Sequence, residues 1–327
     1  MAPGRRASVT FERSSRQLWF GAGRFFALRE CVASRGRARS DSTMPNSVRE
    51  WTDAAPAPWL MYGTAWKEGR TETLTRLALQ AGFRGIDTAN QRKHYFEEGV
   101  GAALSGAVRS GEVLRSELFV QSKFTFLGGQ DDRLPYVRSA AIEQQVAQSL
   151  DSSLVHLGTD YLDSYVLHGP STRRGLEAAD WQAWRAMESL LRAGKVRYLG
   201  ISNVTLDQLS ELYAGAAIPP RFVQNRCYAK TGWDRAVRAL CHAHGSVYQG
   251  FSLLTANHAE LSGAVARDMA RRLGRPIAQI VFRFCQALGI LPLTGTSRIE
   301  HMRLDLDAST LELSGDDVAA LETLAKD

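Results

Sequence analysis

The 327-residue sequence has few cysteines and no long apolar run. Its four cysteines lie far apart and form no CxxC pair: Cys31, Cys227, Cys241 and Cys285. This usage argues against a disulfide framework or a zinc site and favours reduced thiols in an intracellular compartment. The apolar patch at residues 18–28 is interrupted by Arg24 and is too short to cross a bilayer. We therefore expect a protein that binds no metal and does not span a membrane.

Unbalanced charge is confined to the N-terminal segment. Residues 1–49 contain ten Arg, no Lys and three acidic residues, whereas the rest of the chain has 30 basic and 31 acidic residues. The formal net charge of +6 therefore does not belong to the body of the protein. Because binding to nucleic acid depends on a basic face, we expect no nucleic-acid partner.

The first 53 residues form an Arg-, Ser- and Ala-rich leader that contains few acidic residues. This composition is typical of organellar transit peptides. We predict that residues 1–53 are disordered, with two alternatives to a cleaved targeting signal: a dispensable tail, or upstream sequence before a start at Met44. The protein is then expected in the mitochondrion or plastid if the leader is a transit peptide, and in the cytoplasm otherwise.

From residue 54 to the C-terminus, strand-like and helix-like segments alternate. Eight short runs are rich in β-branched and aromatic residues: LMYGT, RGIDTA, LFVQSK, LDSYVLH, RYLGIS, RFVQN, SVYQGFSL and ILPLTG. Longer segments with a helical period separate them, including Val137–Leu157 and Ala259–Leu273. Eight strands, each followed by a helix, predict a single (β/α)₈ TIM barrel over residues 54–327, an α/β fold. One extra helix is predicted at Ser314–Ala325.

Four ionisable residues stand at the ends of strand-like runs or just after one: Asp87, Tyr95, Lys123 and His168. Each alone has an ordinary explanation, as a turn, a solvated strand end or a loop residue. Together they lie where a barrel collects its catalytic side chains, at the carboxyl ends of successive strands. A phenol has a pKa of about 10, and an ammonium held nearby by a carboxylate favours its ionised form. The set therefore predicts a site that protonates a carbonyl oxygen while a hydride reaches its carbon.

The segments that carry these residues resemble the aldo-keto reductase family. Matching stretches occur in the same order and at similar spacings: GTAW (63–66), GFRGIDTA (82–89), VGAAL (100–104), ELFVQSK (117–123), SLVHLGTDYLDSYVLHGP (153–170), GKVRYLGISN (194–203), FVQN (222–225) and LPLTGTSRIEHM (291–302). The resemblance implies reduction of aldehydes and ketones by direct hydride transfer from NADPH. It implies that Tyr95 is the general acid and that Lys123, paired with Asp87, lowers its pKa. His168 would orient the carbonyl.

One departure from the family concerns the proton donor. The family usually places its tyrosine five residues after the aspartate, and that position is Arg92 here. Tyr95 comes eight residues after Asp87. We therefore predict that NQRKHY is a lengthened loop that delivers Tyr95 to the usual place. His94 is the nearest competitor for this role.

The resemblance also implies a site for a nicotinamide coenzyme. Ser202, Asn203 and Gln224 match the residues that hold the carboxamide, and such side chains can satisfy its donors and its acceptor. Phe251 matches an aromatic residue that stacks under the nicotinamide ring. The alternative for Phe251 is a core aromatic.

A phosphate site is predicted between the last strand and the helical turn that follows it. Backbone amides at a helix N-terminus bind anions, and barrels recurrently hold phosphate after their last strands. The residues concerned are Gly295, Thr296, Ser297 and Arg298. Many family members hold the adenosine 2′-phosphate there with Lys, Ser and Arg, whereas the matching residues here are Gly295, Thr296 and His301. Arg298 and Arg303 are electrostatic substitutes, so we favour NADP(H), with NAD(H) as the alternative.

Aromatic side chains near strand ends are predicted to form apolar walls for the substrate beside His168: Trp66, Phe124 and Phe126. We expect several small aldehydes or activated ketones as substrates, and a monomer or weak dimer. The displaced tyrosine and the altered phosphate residues leave a second interpretation open. In it, the barrel has weak activity and binds a nicotinamide coenzyme as a sensor or regulatory subunit.

Overall fold

Eight parallel strands form a closed barrel in the computed structural model, which describes residues 58–325. Each strand pairs with the next along the chain, and β8 returns to pair with β1. The strands are β1 (Met61–Gly63), β2 (Gly85–Asp87), β3 (Phe119–Phe124), β4 (Leu162–Leu167), β5 (Val196–Ser202), β6 (Phe222–Arg226), β7 (Val247–Phe251) and β8 (Ile290–Thr294). The predicted (β/α)₈ barrel is confirmed. The predicted leader, residues 1–53, lies outside the described residues.

Helices cover the outside of the barrel between successive strands. They are α1 (Thr71–Ala81), α2 (Glu97–Arg109), α3 (Ile142–Leu157), α4 (Ala178–Arg192), α5 (Leu206–Gly215), α6 (Arg235–Ala243), α7 (His258–Leu261), α8 (Ala264–Leu273), α9 (Ile277–Ala287), α10 (Ile299–Asp307) and α11 (Gly315–Glu322). Within residues 58–325, no helix is both long and apolar enough to cross a membrane.

Two predicted helices differ from the observed ones. The helix predicted from Val137 begins at Ile142, because Gln145 and Gln148 turn back to bond the backbone of the preceding segment. The helix predicted over Ala259–Leu273 is divided into α7 and α8. Gly263 has an extended backbone there and serves as the N-cap of α8, so the chain restarts its helix at that point.

Inside the barrel, apolar and polar side chains occupy different levels. Side chains along a strand alternate between the interior and the helical layer. An apolar interior cluster fills one level: Met61, Phe119, Phe222, Val247, Leu291 and Leu293. Two residues further along β3, β6 and β7 stand Gln121, Gln224 and Gln249, all at most 3% exposed. These three side chains, here named the glutamine layer, form the floor of the site described next.

Candidate active site

A cavity of about 670 Å³ opens at the carboxyl-terminal ends of the strands. Ten of the residues predicted for the site line it: Trp66, Asp87, Tyr95, His168, Ser202, Asn203, Gln224, Phe251, Gly295 and Thr296. Lys123 lies directly beneath, fully buried. The barrel therefore brings side chains from distant parts of the sequence to one place, as its topology requires.

Lys123 and Asp87 form a buried ion pair. The Lys123 Nζ donates to Asp87 Oδ1 at 2.6 Å and to the Thr88 carbonyl at 2.8 Å. Burial lowers the pKa of Lys123, while the negative charges of Asp87 and Glu97 act in the opposite direction. A buried ammonium needs such compensation to stay charged.

The glutamine layer completes the surroundings of Asp87. Its Oδ1 also accepts from Gln121 Nε2 at 2.7 Å and from Gln224 Nε2 at 3.0 Å. Gln249 Oε1 accepts from the same two amide groups, at 2.9 Å each. The carboxylate is thus held by three donors in a fixed position. Gln121 and Gln249 were missed in the sequence, although Gln121 stands two residues before Lys123 and therefore faces the same side of β3.

Tyr95 lies on the long loop between β2 and α2. Its ring centroid is 5.3 Å from Lys123 Nζ and 5.9 Å from the centroid of the His168 ring. Burial raises the pKa of Tyr95, and the charge of Asp87 raises it further, so its hydroxyl carries a proton at neutral pH. The net direction is thus upward in this structure, opposite to the lowering by Lys123 that the resemblance implies. His94 instead packs its ring against Trp66, with centroids 3.9 Å apart and the ring planes tilted by 38°.

The lengthened loop is tied to the barrel on both sides of Tyr95. Asn90, 2% exposed, donates to the Ser149 carbonyl and to Ser153 Oγ on α3. After Tyr95, Glu97 begins α2 and accepts from Ser122 Oγ on β3 and from Ser153 Oγ. These buried hydrogen bonds leave Tyr95 little freedom to move away from Lys123.

His168 follows β4 and is neutral. Burial, helped by the charge of Lys123, lowers its pKa from 6.5 to about 3. Its backbone N–H donates to the Phe124 carbonyl at 2.8 Å, and its Nδ1 lies 2.7 Å from Thr125 Oγ1. The Thr125 bond fixes the ring and leaves Nε2 available to a ligand. Thr125 was not singled out in the sequence.

The three residues predicted to hold a carboxamide, Ser202, Asn203 and Gln224, present a defined set of donors and acceptors. Asn203 Nδ2 donates to the His168 carbonyl at 2.8 Å and to Ser202 Oγ at 3.1 Å. Because the Gln224 Nε2 donates to Asp87 and Gln249, its carbonyl oxygen remains as an acceptor. The cavity therefore offers the Ser202 hydroxyl as a donor, and the oxygens of Asn203 and Gln224 as acceptors.

Three residues other than glycine line the cavity in the left-handed backbone region. They are Trp66 (φ 61°), Asn203 (φ 52°) and Ser252 (φ 56°). Each follows a strand end, after β1, β5 and β7 respectively. Such conformations cost roughly 1–3 kcal/mol and cluster at functional sites.

Two cations that the sequence did not indicate line the middle of the cavity. Lys67 is 8% exposed and donates to the Gly295 carbonyl, and its pKa is lowered by burial and by the nearby Arg70. Arg226, at the end of β6, lies 5.8 Å from the centre of the Phe251 ring. In the described part of the chain, neither pairs with a carboxylate. Arg226 is exposed, whereas Lys67 is buried, and a buried cation without a counter-ion favours an anionic ligand.

Besides Lys123, four of the predicted site residues do not line this cavity: Phe124, Phe126, Ser297 and Arg298. Ser297 and Arg298 are exposed, and Arg298 Nε lies 3.7 Å from Glu300. The Phe124 ring is fully buried between Phe126 and Tyr136, with centroids 5.2 and 5.8 Å away. Of the aromatic walls predicted for the substrate, Trp66 is therefore the one that faces the cavity; it is 67% exposed.

Among residues 58–325, no cluster of three or more His, Cys, Asp or Glu side chains could hold a metal ion. The groups present at the cavity include an ion pair, a phenol, a neutral imidazole and amide groups.

Comparisons with known proteins show the family to which the chain belongs. The model of the Aldo/keto reductase family matches residues 61–326. An NAD/NADP-dependent indole-3-acetaldehyde reductase of Schizosaccharomyces pombe is 32% identical over 253 residues, 76% of this chain and 81% of that protein. A glyoxal reductase of Bacillus subtilis is 28% identical over 289 residues, 87% of this chain and 96% of the relative.

Solved structures show the same barrel. An aldo/keto reductase from Brucella melitensis superposes with a TM-score of 0.70 at 25% identity, over 82% of this chain and 95% of that one. A silkworm (Bombyx mori) aldo-keto reductase complexed with NADPH also gives a TM-score of 0.70, at 21% identity, over 82% and 84% of the two chains. The chain therefore belongs to the aldo/keto reductase family of oxidoreductases.

Proposed function

We propose that this protein reduces aldehydes and ketones to alcohols with a nicotinamide coenzyme, and that Tyr95 is the proton donor. The observation that carries the proposal is the position of Tyr95. It lines the cavity with its proton in place, beside His168 and 5.3 Å from the ammonium of Lys123. A general acid needs this combination of a retained proton and a nearby group that stabilises the anion it becomes.

The residues present fit a nicotinamide dinucleotide. A carboxamide has two N–H donors and one carbonyl acceptor. Asn203 and Gln224 supply two acceptor oxygens, and Ser202 supplies a hydroxyl donor. Phe251 offers an aromatic ring in the same cavity, and Lys67 supplies a cation for the diphosphate. The bound coenzyme would supply a hydride.

Each residue then has one task in the reduction. The neutral His168, held through Nδ1 by Thr125, hydrogen-bonds the carbonyl oxygen with Nε2. Tyr95 gives its proton to that oxygen as negative charge develops there. Lys123 stabilises the resulting phenolate, and Asp87 keeps the ammonium in place and charged. The family resemblance favours NADPH, whereas the residues at the adenosine end of the cavity bring in NADH, as argued in the next subsection.

Loss of NADPH or NADH absorbance with a panel of aldehydes tests the activity. Tyr95→Phe removes one oxygen and should reduce kcat and kcat/KM by about 10²- to 10⁴-fold, while coenzyme affinity is retained. His94→Ala is the matched control from the same loop, and it should cost far less. Full activity in Tyr95→Phe would refute the assignment. Tight coenzyme binding by the wild type without turnover of any aldehyde would favour a sensor or regulatory role instead.

A further inference from the structure

One end of the cavity carries two buried acceptors: a carboxylate that has no cation partner among the described residues, and an amide oxygen that has no donor. Asp305, on α10, is 4% exposed and lines the cavity. It accepts from the Thr294 hydroxyl at 2.9 Å and has no cation partner among the described residues. Gln279, on α9, is 1% exposed and lines the same wall. Its Nε2 donates to the Leu304 carbonyl, which leaves Oε1 buried without a partner.

This end of the cavity is the place for the adenosine of the coenzyme. Tyr95, His168 and the amide-binding residues occupy the other end, and they locate the nicotinamide there. Lys67 stands between, next to Gly295, where a diphosphate would need a cation. A dinucleotide laid along the cavity therefore ends beside α9 and α10. The placement rests on the proposed function.

A buried oxygen that can still accept a hydrogen bond favours a ligand with an N–H or O–H donor. Buried polar groups are nearly always hydrogen-bonded, and the carboxylate of Asp305 bears its own cost of burial, since desolvation raises its pKa to about 6. An amine or a hydroxyl would satisfy both oxygens, whereas a phosphate would bring more negative charge to a carboxylate. Arg298, one of the two cations predicted for the phosphate site, is exposed, and its Nε lies 3.7 Å from Glu300.

We propose that Asp305 and Gln279 form an acceptor pair that binds the adenosine of the coenzyme through its amine or hydroxyl donors and disfavours a 2′-phosphate. The pair would thus set the coenzyme preference and make NADH an effective coenzyme for this protein. Neither residue touches the reacting atoms, so the effect belongs to coenzyme binding and not to the chemical step.

Equilibrium binding tests the proposal independently of turnover. Dissociation constants for NADPH, NADH and reduced nicotinamide hypoxanthine dinucleotide would be measured through quenching of tryptophan fluorescence, since Trp66 lines the cavity. Asp305→Asn keeps an acceptor for Thr294 but removes the charge. It should weaken NADH binding and shift the NADPH-to-NADH affinity ratio toward NADPH by about tenfold. Asp307→Asn, an exposed neighbour on α10 paired with Arg275, removes the same charge and should leave the ratio unchanged.

The hypoxanthine coenzyme identifies the donor. It carries a carbonyl in place of the adenine amine. If the amine is the partner of Asp305, this coenzyme should bind the wild type weakly, and its affinity should be recovered in Asp305→Asn. If the hydroxyls are the partner, the hypoxanthine coenzyme should bind each of the two proteins as tightly as NADH does. The proposal is overturned if Asp305→Asn changes the ratio no more than Asp307→Asn does. Failure of wild type to bind any of the three coenzymes would overturn the proposed function itself, and the acceptor pair with it.

Discussion

Removal of the Asp305 charge should stabilise the folded protein, but only above a certain pH. The carboxyl has a pKa of about 6 in the folded chain against an ordinary value of 3.8. Because the folded state binds this proton more tightly, ionisation opposes folding. The penalty is absent below the ordinary value, grows as the pH rises toward the folded pKa, and is complete above it.

The size of this penalty follows from the two values. Each pKa unit is worth about 1.4 kcal/mol, so the difference amounts to about 3 kcal/mol at pH 8. Asp305→Asn avoids the penalty and retains an oxygen for the Thr294 hydroxyl. For a barrel of about 270 residues, whose entropy of unfolding is about 0.6 kcal/mol/K, the gain corresponds to a rise of roughly 5 °C in Tm.

Thermal unfolding of the coenzyme-free protein, followed by circular dichroism at pH 8 and pH 4, measures the effect. We expect a large rise in Tm for Asp305→Asn at pH 8 and almost none at pH 4. Asp307→Asn controls for net charge on the same helix. A rise of equal size at both pH values would show that ionisation is not the cause. A fall in Tm at pH 8 would mean that the carboxylate has a stabilising partner, which would refute the reasoning.

Three further predictions concern the ion pairs and the imidazole. Lys123→Met should lower kcat by at least about 100-fold with coenzyme affinity retained, because the phenolate of Tyr95 loses its stabilising charge; stopped-flow turnover and fluorescence titration check this. The pH profile of kcat should show no inflection near 6.5, because His168, with its pKa near 3, is already neutral there; an inflection that disappears in His168→Gln would contradict this. Asp163→Ala should destabilise the fold by about 3–5 kcal/mol in urea unfolding, because Asp163 is 1% exposed and pairs with Arg115 and Arg197 at 2.9 Å each.

The barrel can be predicted from the sequence because each strand and each helix is identified by a pattern within a short stretch of residues. Alternation of short apolar runs with helical periods identifies the eight strands, and topology then brings Asp87, Lys123 and His168 to one end. The start of α3 was predicted too early, because side chains from within the helix hold the preceding segment in turns.

Other parts of the candidate site depend on contacts between distant segments. Lys67 has no strand-end signal, and its burial next to Gly295 appears only when β1 and β8 meet. The sequence gives no sign that Asp305 is buried, because its pattern there is that of a polar position on a surface helix. Its burial depends on how α10 packs against α9. Phe124 illustrates the converse, because a residue at a strand end can point into the helical layer instead of the cavity.

The double role of Gln224 has a consequence for how mutants of this protein are interpreted. One amide nitrogen fixes Asp87, and the oxygen of the same amide faces the place of the carboxamide. Under the proposed function, the proton-donating half and the coenzyme half of the site share this one buried side chain and are not independent units. A change at Gln224 should alter both halves at once, and the free-energy effects of Gln224 and Lys123 variants should not add in a double-mutant cycle. Redesign of coenzyme binding at this position would also perturb the acid.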